Sequence, residues 1–199
     1  MITRKEMTRM LLKEGLLSYL ANNSFESVTV TSLCKASGIT RSTFYLHYSN
    51  IMEIVDDLVD DAIAYSKPGM VDNNNLQTIA NTLSAASNSV SLREAYDSIF
   101  DRLPLCQRII RHKKYLPLFL DEQISEYVLQ RIIGSEKDRQ GLVMAEALGT
   151  SFDVGVSVFV FLVHGLYAVN KQYKWSQTDE WLEAQKIIFK LVYRGLQSR

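Results

Sequence analysis

The residues best suited to chemistry crowd into one short stretch, Gly38–Asn50, which reads GITRSTFYLHYSN. Arg41 brings a planar fork of donors, Ser42 and Thr43 bring hydroxyls, Tyr45 a phenol and His47 an imidazole. The chain holds no Ser/His/Asp pattern, no metal-spaced His/Glu pair and no glycine-rich phosphate loop, so it is not read as an enzyme and no metal or cofactor is expected. These side chains are equipped to recognise a hydrogen-bonding surface. Whether they can act together depends on local structure: Phe44, Leu46 and Tyr48 alternate with Tyr45 and His47 as in a half-buried strand, yet the same stretch also suits a short helix.

The flanking residues decide for the helix. Residues 4 to 22 place Met7, Met10, Leu11, Leu17 and Leu20 on one helical face. The asparagines and serines of ANNSFES end that helix, and Thr29 stands as N-cap to a second one, Val30 to about Ser37. Gly38 supplies the left-handed residue of a helix C-terminus and Thr40 caps a third helix. Two short helices joined by so tight a glycine turn carry the signature of a helix-turn-helix, and no hairpin signal supplies a partner strand. On the third helix, Phe44 and Tyr48 share a face that packs inward with Leu33 and Ile39, leaving Tyr45 and His47 outward.

Asn50 and Glu53 form a capping box for a fourth helix, whose apolar stripe is Ile51, Ile54, Val55, Leu58, Val59 and Ala62. Its acids, Glu53, Asp56, Asp57, Asp60 and Asp61, are expected on a solvated face. SKPGMVDNNN, residues 66 to 75, then separates an N-terminal domain, 1–62, from a C-terminal one, 63–199. Further helices are predicted over Leu76–Ser87, Leu92 to about Arg102, Leu103–Lys113, Pro117–Ile133, Gln140–Leu148, Phe152–Gln172 and Thr178–Gln197. Pro104 and Pro117 suit helix starts. The predicted fold class is all-α, with three N-terminal helices carrying a helix-turn-helix ahead of a helical regulatory domain.

Composition sets the outer limits. With 47% hydrophobic and 22% charged residues, and only three prolines, the chain is an ordered one. Net charge is zero, yet residues 1–50 carry six Lys/Arg against three Asp/Glu, which leaves the N-terminal end able to meet a polyanion. Cys34 and Cys106 are too far apart in sequence to suggest a zinc site or a disulfide framework; Cys34 reads as a small packing residue. The start of the chain lacks a signal-peptide pattern, so a cytoplasmic protein is expected. Phe152–Val169 approaches membrane-span length but is interrupted by Asp153 and His164; it is read as a helix buried on all sides, with no membrane partner.

TVTSLCKASGITRSTFYLHYSN, residues 29 to 50, resembles the DNA-binding module of the tetracycline-repressor (TetR) family of bacterial transcription regulators. The resemblance rests on the capping Thr-Val, Leu33 with a small residue after it, Gly38 followed by Ile39, the hydroxyl at Thr40, Thr43-Phe44-Tyr45 and the aromatic Tyr48. It covers residues 5 to about 62 by motif and the remainder by architecture. Ser24, Cys34 and Ser37 depart from the family pattern conservatively. Ile51 stands where the family usually has a phosphate-contacting lysine, a change that throws more of the electrostatic work onto Arg41, Lys35 and the helix-one bases.

The resemblance implies a homodimer on double-stranded DNA, with Arg41, Ser42 and Thr43 at base edges in the major groove. Tyr45, His47, Thr29 and Thr31 would donate to phosphates, with Lys35 nearby. It also implies an unknown small-molecule effector that shifts helix four. Phe119, Phe161, His164, Tyr167 and Trp175 are candidates to line its pocket. Val158, Ile187, Ile188, Leu191 and Val192, on the last two helices, are the candidate dimer surface, with Gly155 and Gly165 permitting close helix approach. The alternative is a TetR-like coregulator that binds DNA weakly or not at all alone and acts through a protein partner.

Overall fold

A computed structural model describes residues 3–66, 75–103, 107–108 and 113–197. The helices are α1 (Arg4–Leu20), α2 (Val30–Ser37), α3 (Arg41–Tyr45), α4 (Ile51–Ser66), α5 (Asn75–Ala85), α6 (Ser89–Ser98), α7 (Leu116–Leu120), α8 (Ser125–Leu148), α9 (Phe152–Gln172) and α10 (Asp179–Gln197), with 3-10 turns at Phe25–Ser27 and Phe100–Arg102. The protein is all-α, and no strand occurs among the described residues. The expected helix over Leu103–Lys113, Pro104 and the breaker segment fall largely outside the described residues.

The chain divides into two compact units, one of residues 1–65 with 109–132, the other of 66–108 with 133–199. The first unit therefore takes in α7 and the first turns of α8 as well as the N-terminal helices. In it α1 packs on α2 and α7. The buried face of α1 is Thr8, Leu12, Gly15, Leu16, Leu17 and Leu20, whereas Met7, Met10 and Leu11 are exposed. The sequence pattern for α1 picked the wrong side for its first half. Close approach to α2 selects the small residue: a Cβ on Gly15 would lie 2.0 Å from Ser37 Oγ.

Local signals account for the rest of this unit. Thr29 Oγ1 accepts from the Ser32 N–H at 3.0 Å while Ser32 Oγ accepts from the Thr29 N–H at 2.9 Å, a reciprocal cap on α2. Gly38 adopts φ 66°, and Thr40 Oγ1 caps α3 through the Thr43 N–H at 3.2 Å. Asn50 Oδ1 accepts from the Glu53 N–H at 3.1 Å, and Glu53 reaches back to the Ser49 N–H at 2.8 Å.

Asp121 ends α7 and opens α8. Its Oδ1 accepts from the N–H groups of Gln123 and Ile124, its Oδ2 from the Phe25 N–H at 2.6 Å. The expected break between Ile133 and Gln140 does not occur. Ser135 to Arg139 continue α8, because Glu136 is buried and paired with Arg139 one turn on, so the inward stripe persists through a charged run.

In the second unit, Ile79, Leu83, Leu92, Tyr96, Ile99, Leu166, Trp181, Leu182 and Phe189 form the core, drawn mainly from α5, α6, α9 and α10. Trp181 Nε1 donates to Asn170 Oδ1 at 2.9 Å, which ties α10 to α9 inside that core. Gly155 is used within the chain: a Cβ there would meet the Gly141 carbonyl oxygen at 2.2 Å, so the close approach it permits is to α8. A Cβ on Gly165 would instead meet no neighbouring atom within 4 Å outside its own helix backbone. α9 is long and apolar enough to cross a membrane by length and composition, but it is not buried all round as expected; Phe161 is 74% exposed.

Candidate nucleic-acid interface

Two buried rings fix α3. Phe44 and Tyr48 are fully or almost fully buried, and the Tyr48 phenol donates to Asp57 on α4 at 2.5 Å. The Arg9 guanidinium of α1 pairs with the same carboxylate and lies over the Tyr48 ring, 5.0 Å from its centroid. Burial first, and then the hydrogen bond to Asp57, hold the Tyr48 phenol well above the ordinary tyrosine range. A shared ionic contact thus joins α1 and α4 to Tyr48, three residues beyond the end of α3, while Phe44 anchors α3 itself in the core.

That fixed orientation sorts the candidate residues. Arg41, Ser42 and Tyr45 are exposed, Tyr45 edge-on to Phe44 with centroids 5.1 Å apart. Thr43 is half-buried, and its hydroxyl sits 2.8 Å from that of Thr40, which also lies 3.0 Å from Ser42 Oγ. On α2, Thr29, Thr31 and Lys35 are exposed. His47 differs from the expectation of a fully outward side chain. It is half-buried, and its Nδ1 is enclosed without a hydrogen-bond partner, so only the other ring nitrogen is available to a ligand. Cys34 is a buried free thiol whose pKa burial pushes up, consistent with a packing role.

The acids of α4 are engaged rather than simply solvated. Asp57 and Asp61 take Arg9 and Lys13 of α1, while Asp56 and Asp60 face Arg131 of α8, at 3.4 and 2.8 Å, and Asp56 accepts from the Tyr127 phenol. Spacing of four on α4 sends alternate pairs to different neighbours, and Tyr127 and Arg131 match that spacing on α8. The composition of α4 gave the acids but not their partners, which lie 48 and 71 residues away in sequence. Two of the helix-one bases are thereby spent inside the fold, leaving Arg4 and Lys5 as its exposed cations.

The residues proposed for an effector pocket are divided between the two units, Phe119 in the first and the others in the second. Phe119 is buried in the first unit. Phe161 is exposed. Tyr167 and Trp175 are buried edge to face, centroids 5.5 Å apart, and His164 is half-buried on the same helix as Tyr167. A separate cleft of about 480 Å³ in the first unit is lined by Glu6, Met10, Lys13, Glu14, Leu58, Asp61 and Lys114, and its lysines pair with Asp61 and Glu14. Of the candidate dimer residues, Ile187 and Leu191 are exposed, and Val158, Ile188 and Val192 half-buried. Among the described residues no cluster of His, Cys, Asp and Glu could hold a metal ion. Comparison with known proteins finds no family model and no curated protein that matches the chain.

Proposed function

We propose that this protein is a dimeric, ligand-responsive DNA-binding regulator of transcription, a cytoplasmic repressor that binds a palindromic operator and is released by a small molecule. One observation carries the reading: a left-handed glycine turn joins α2 to an α3 pinned from one side, so that Arg41, Ser42 and Tyr45 stand exposed together. A helix held in this way can enter a major groove without losing its own packing. Arg41 then reads guanine, Ser42 and Thr43 contact base edges, and Tyr45, His47, Thr29, Thr31 and Lys35 hold phosphates. The exposed apolar residues of α9 and α10 supply the dimer surface, and Tyr167 and Trp175, buried against each other, with His164 on the same helix as Tyr167, contribute to the effector site. An effector releases DNA only by binding better to the state whose half-site spacing is wrong.

Gel-shift titration against genomic fragments, including the protein's own promoter region, tests this. Binding is expected to weaken linearly in log–log form as salt rises. Arg41→Ala should weaken binding and relax preference at one base position by about 1–3 kcal/mol, while Tyr45→Ala weakens it on all sequences alike. Equal, sequence-independent losses from both variants would refute the assigned roles. A second reading, action through a protein partner, draws on Ile51 at the start of α4 and on the pairing of Arg9 and Lys13 with α4 acids, which together reduce the cations left for phosphate. Absence of any shift at low salt overturns autonomous DNA binding and leaves that second reading.

A further inference from the structure

We infer that Leu46 is a specificity residue that reads the 5-methyl group of a thymine; the inference rests on the DNA-binding reading above and names a base that its site selects. Leu46 is 79% exposed, the highest value of any large apolar side chain among the described residues. An isolated exposed leucine is ordinary on a protein surface. Its position on α3 is what sets this one apart.

Leu46 closes α3 in right-handed helical geometry, φ −75° and ψ −17°, with its N–H donating to the Thr43 carbonyl at 3.2 Å. It therefore continues the helical course of the residues before it. Phe44, the buried anchor of α3, precedes it by two, which puts Leu46 about 200° round the helix from that anchor. Its side chain is accordingly on the exposed side of α3. Ser42, four residues earlier, shares that outward face with Tyr45 beside it, while Arg41, five residues before Leu46, is exposed about 140° round the helix. On the DNA-binding reading, a duplex that receives α3 by this exposed face meets Leu46 together with Ser42.

An isobutyl group neither donates nor accepts. In the major groove the one base-edge feature it can favour is the thymine methyl. Set against cytosine, it covers an amino group that loses its water without gaining an acceptor, so the contact selects as well as attracts. Arg41 and Leu46 then divide the half-site between a guanine and a thymine.

The test begins with selection of bound duplexes from a random library by the wild-type chain and by Leu46→Ala, a change on an exposed side chain that leaves the packing of Phe44 and Tyr48 untouched. The wild type is expected to require a thymine at one position per half-site that the variant no longer requires. Replacement of that thymine by deoxyuridine, which removes the methyl group alone, should weaken wild-type binding about fourfold. The same replacement should change binding to Leu46→Ala by less than about twofold. Leu46→Met, which restores an apolar reach, should recover the thymine preference. Identical preferences for wild type and Leu46→Ala, or an equal deoxyuridine effect in both, overturn the inference while leaving DNA binding in place. Failure of the wild type to select any duplex at low salt overturns the DNA-binding reading and this inference with it.

Discussion

The Tyr48 phenol titrates against its own fold. Its hydrogen bond to Asp57 and its burial keep the proton on in the folded state at pH values where the unfolded chain releases it. Above about pH 10 the unfolded state binds fewer protons, so stability falls as pH rises; below that the contribution is complete. Tyr48→Phe should flatten the decline of unfolding free energy between pH 10 and 11.5 by up to about 1.4 kcal/mol per pH unit, read from urea midpoints at each pH. Tyr115 and Tyr127, also shifted upward, are present in both proteins, so the difference isolates Tyr48. An unchanged slope would show that the phenol is neither buried nor held by Asp57 in the folded state. Gly155 makes a second test at this scale. The backbone oxygen and nitrogen that a Cβ would strike belong to a packed helix, so Gly155→Ala should cost about 1–3 kcal/mol. Gly134→Ala, in open space on α8, should instead gain about 0.5–1 kcal/mol.

At the scale of elements, α4 is gripped on two sides by charges of matched spacing. The two grips differ in environment. Arg131 meets Asp56 and Asp60 near the surface, with the Asp60 side chain 65% exposed, whereas Arg9 and Asp57 also engage the Tyr48 ring and hydroxyl. Exposed pairs are worth about 0.2–1 kcal/mol and are screened by salt. A double-mutant cycle on Arg131 and Asp60 should therefore give a coupling near the low end of that range that vanishes at 0.5 M salt, on the order of the screening expected at that strength. The Arg9–Asp57 cycle should give about 1–2 kcal/mol and survive it. Equal salt sensitivity of the two couplings would count against this division.

At the scale of the molecule, α9 and α10 each leave apolar side chains outside. Val154 and Phe161 on α9, and Ile187 and Leu191 on α10, are half or more exposed apart from Val154, at 47%. On the proposed reading a second copy covers them. Phe161→Asp combined with Leu191→Asp should then move the sedimenting species to the mass of one chain and weaken operator binding by at least about tenfold, because a single module contacts one half-site only. Far-UV circular dichroism should stay unchanged, since neither side chain belongs to the core. Wild-type sedimentation as a single chain would overturn the dimer.

The sequence by itself determined what short-range chemistry controls. Caps at Thr29, Thr40 and Asn50 and the left-handed turn at Gly38 are local, and they were legible because a hydroxyl or a missing Cβ acts within three or four residues. So was the inward Phe44, which follows from helical spacing; Tyr48 is buried as expected, but α3 ends at Tyr45 and Tyr48 lies in the segment beyond it. Tertiary structure decided the remainder. It set which side of α1 is buried, the continuity of α8 through a charged run, and the partners of the α4 acids; it also left Phe161 and Leu46 exposed. Each of these turns on a neighbour far away in sequence, and a periodic pattern states that a helix has two faces without stating what lies against either one.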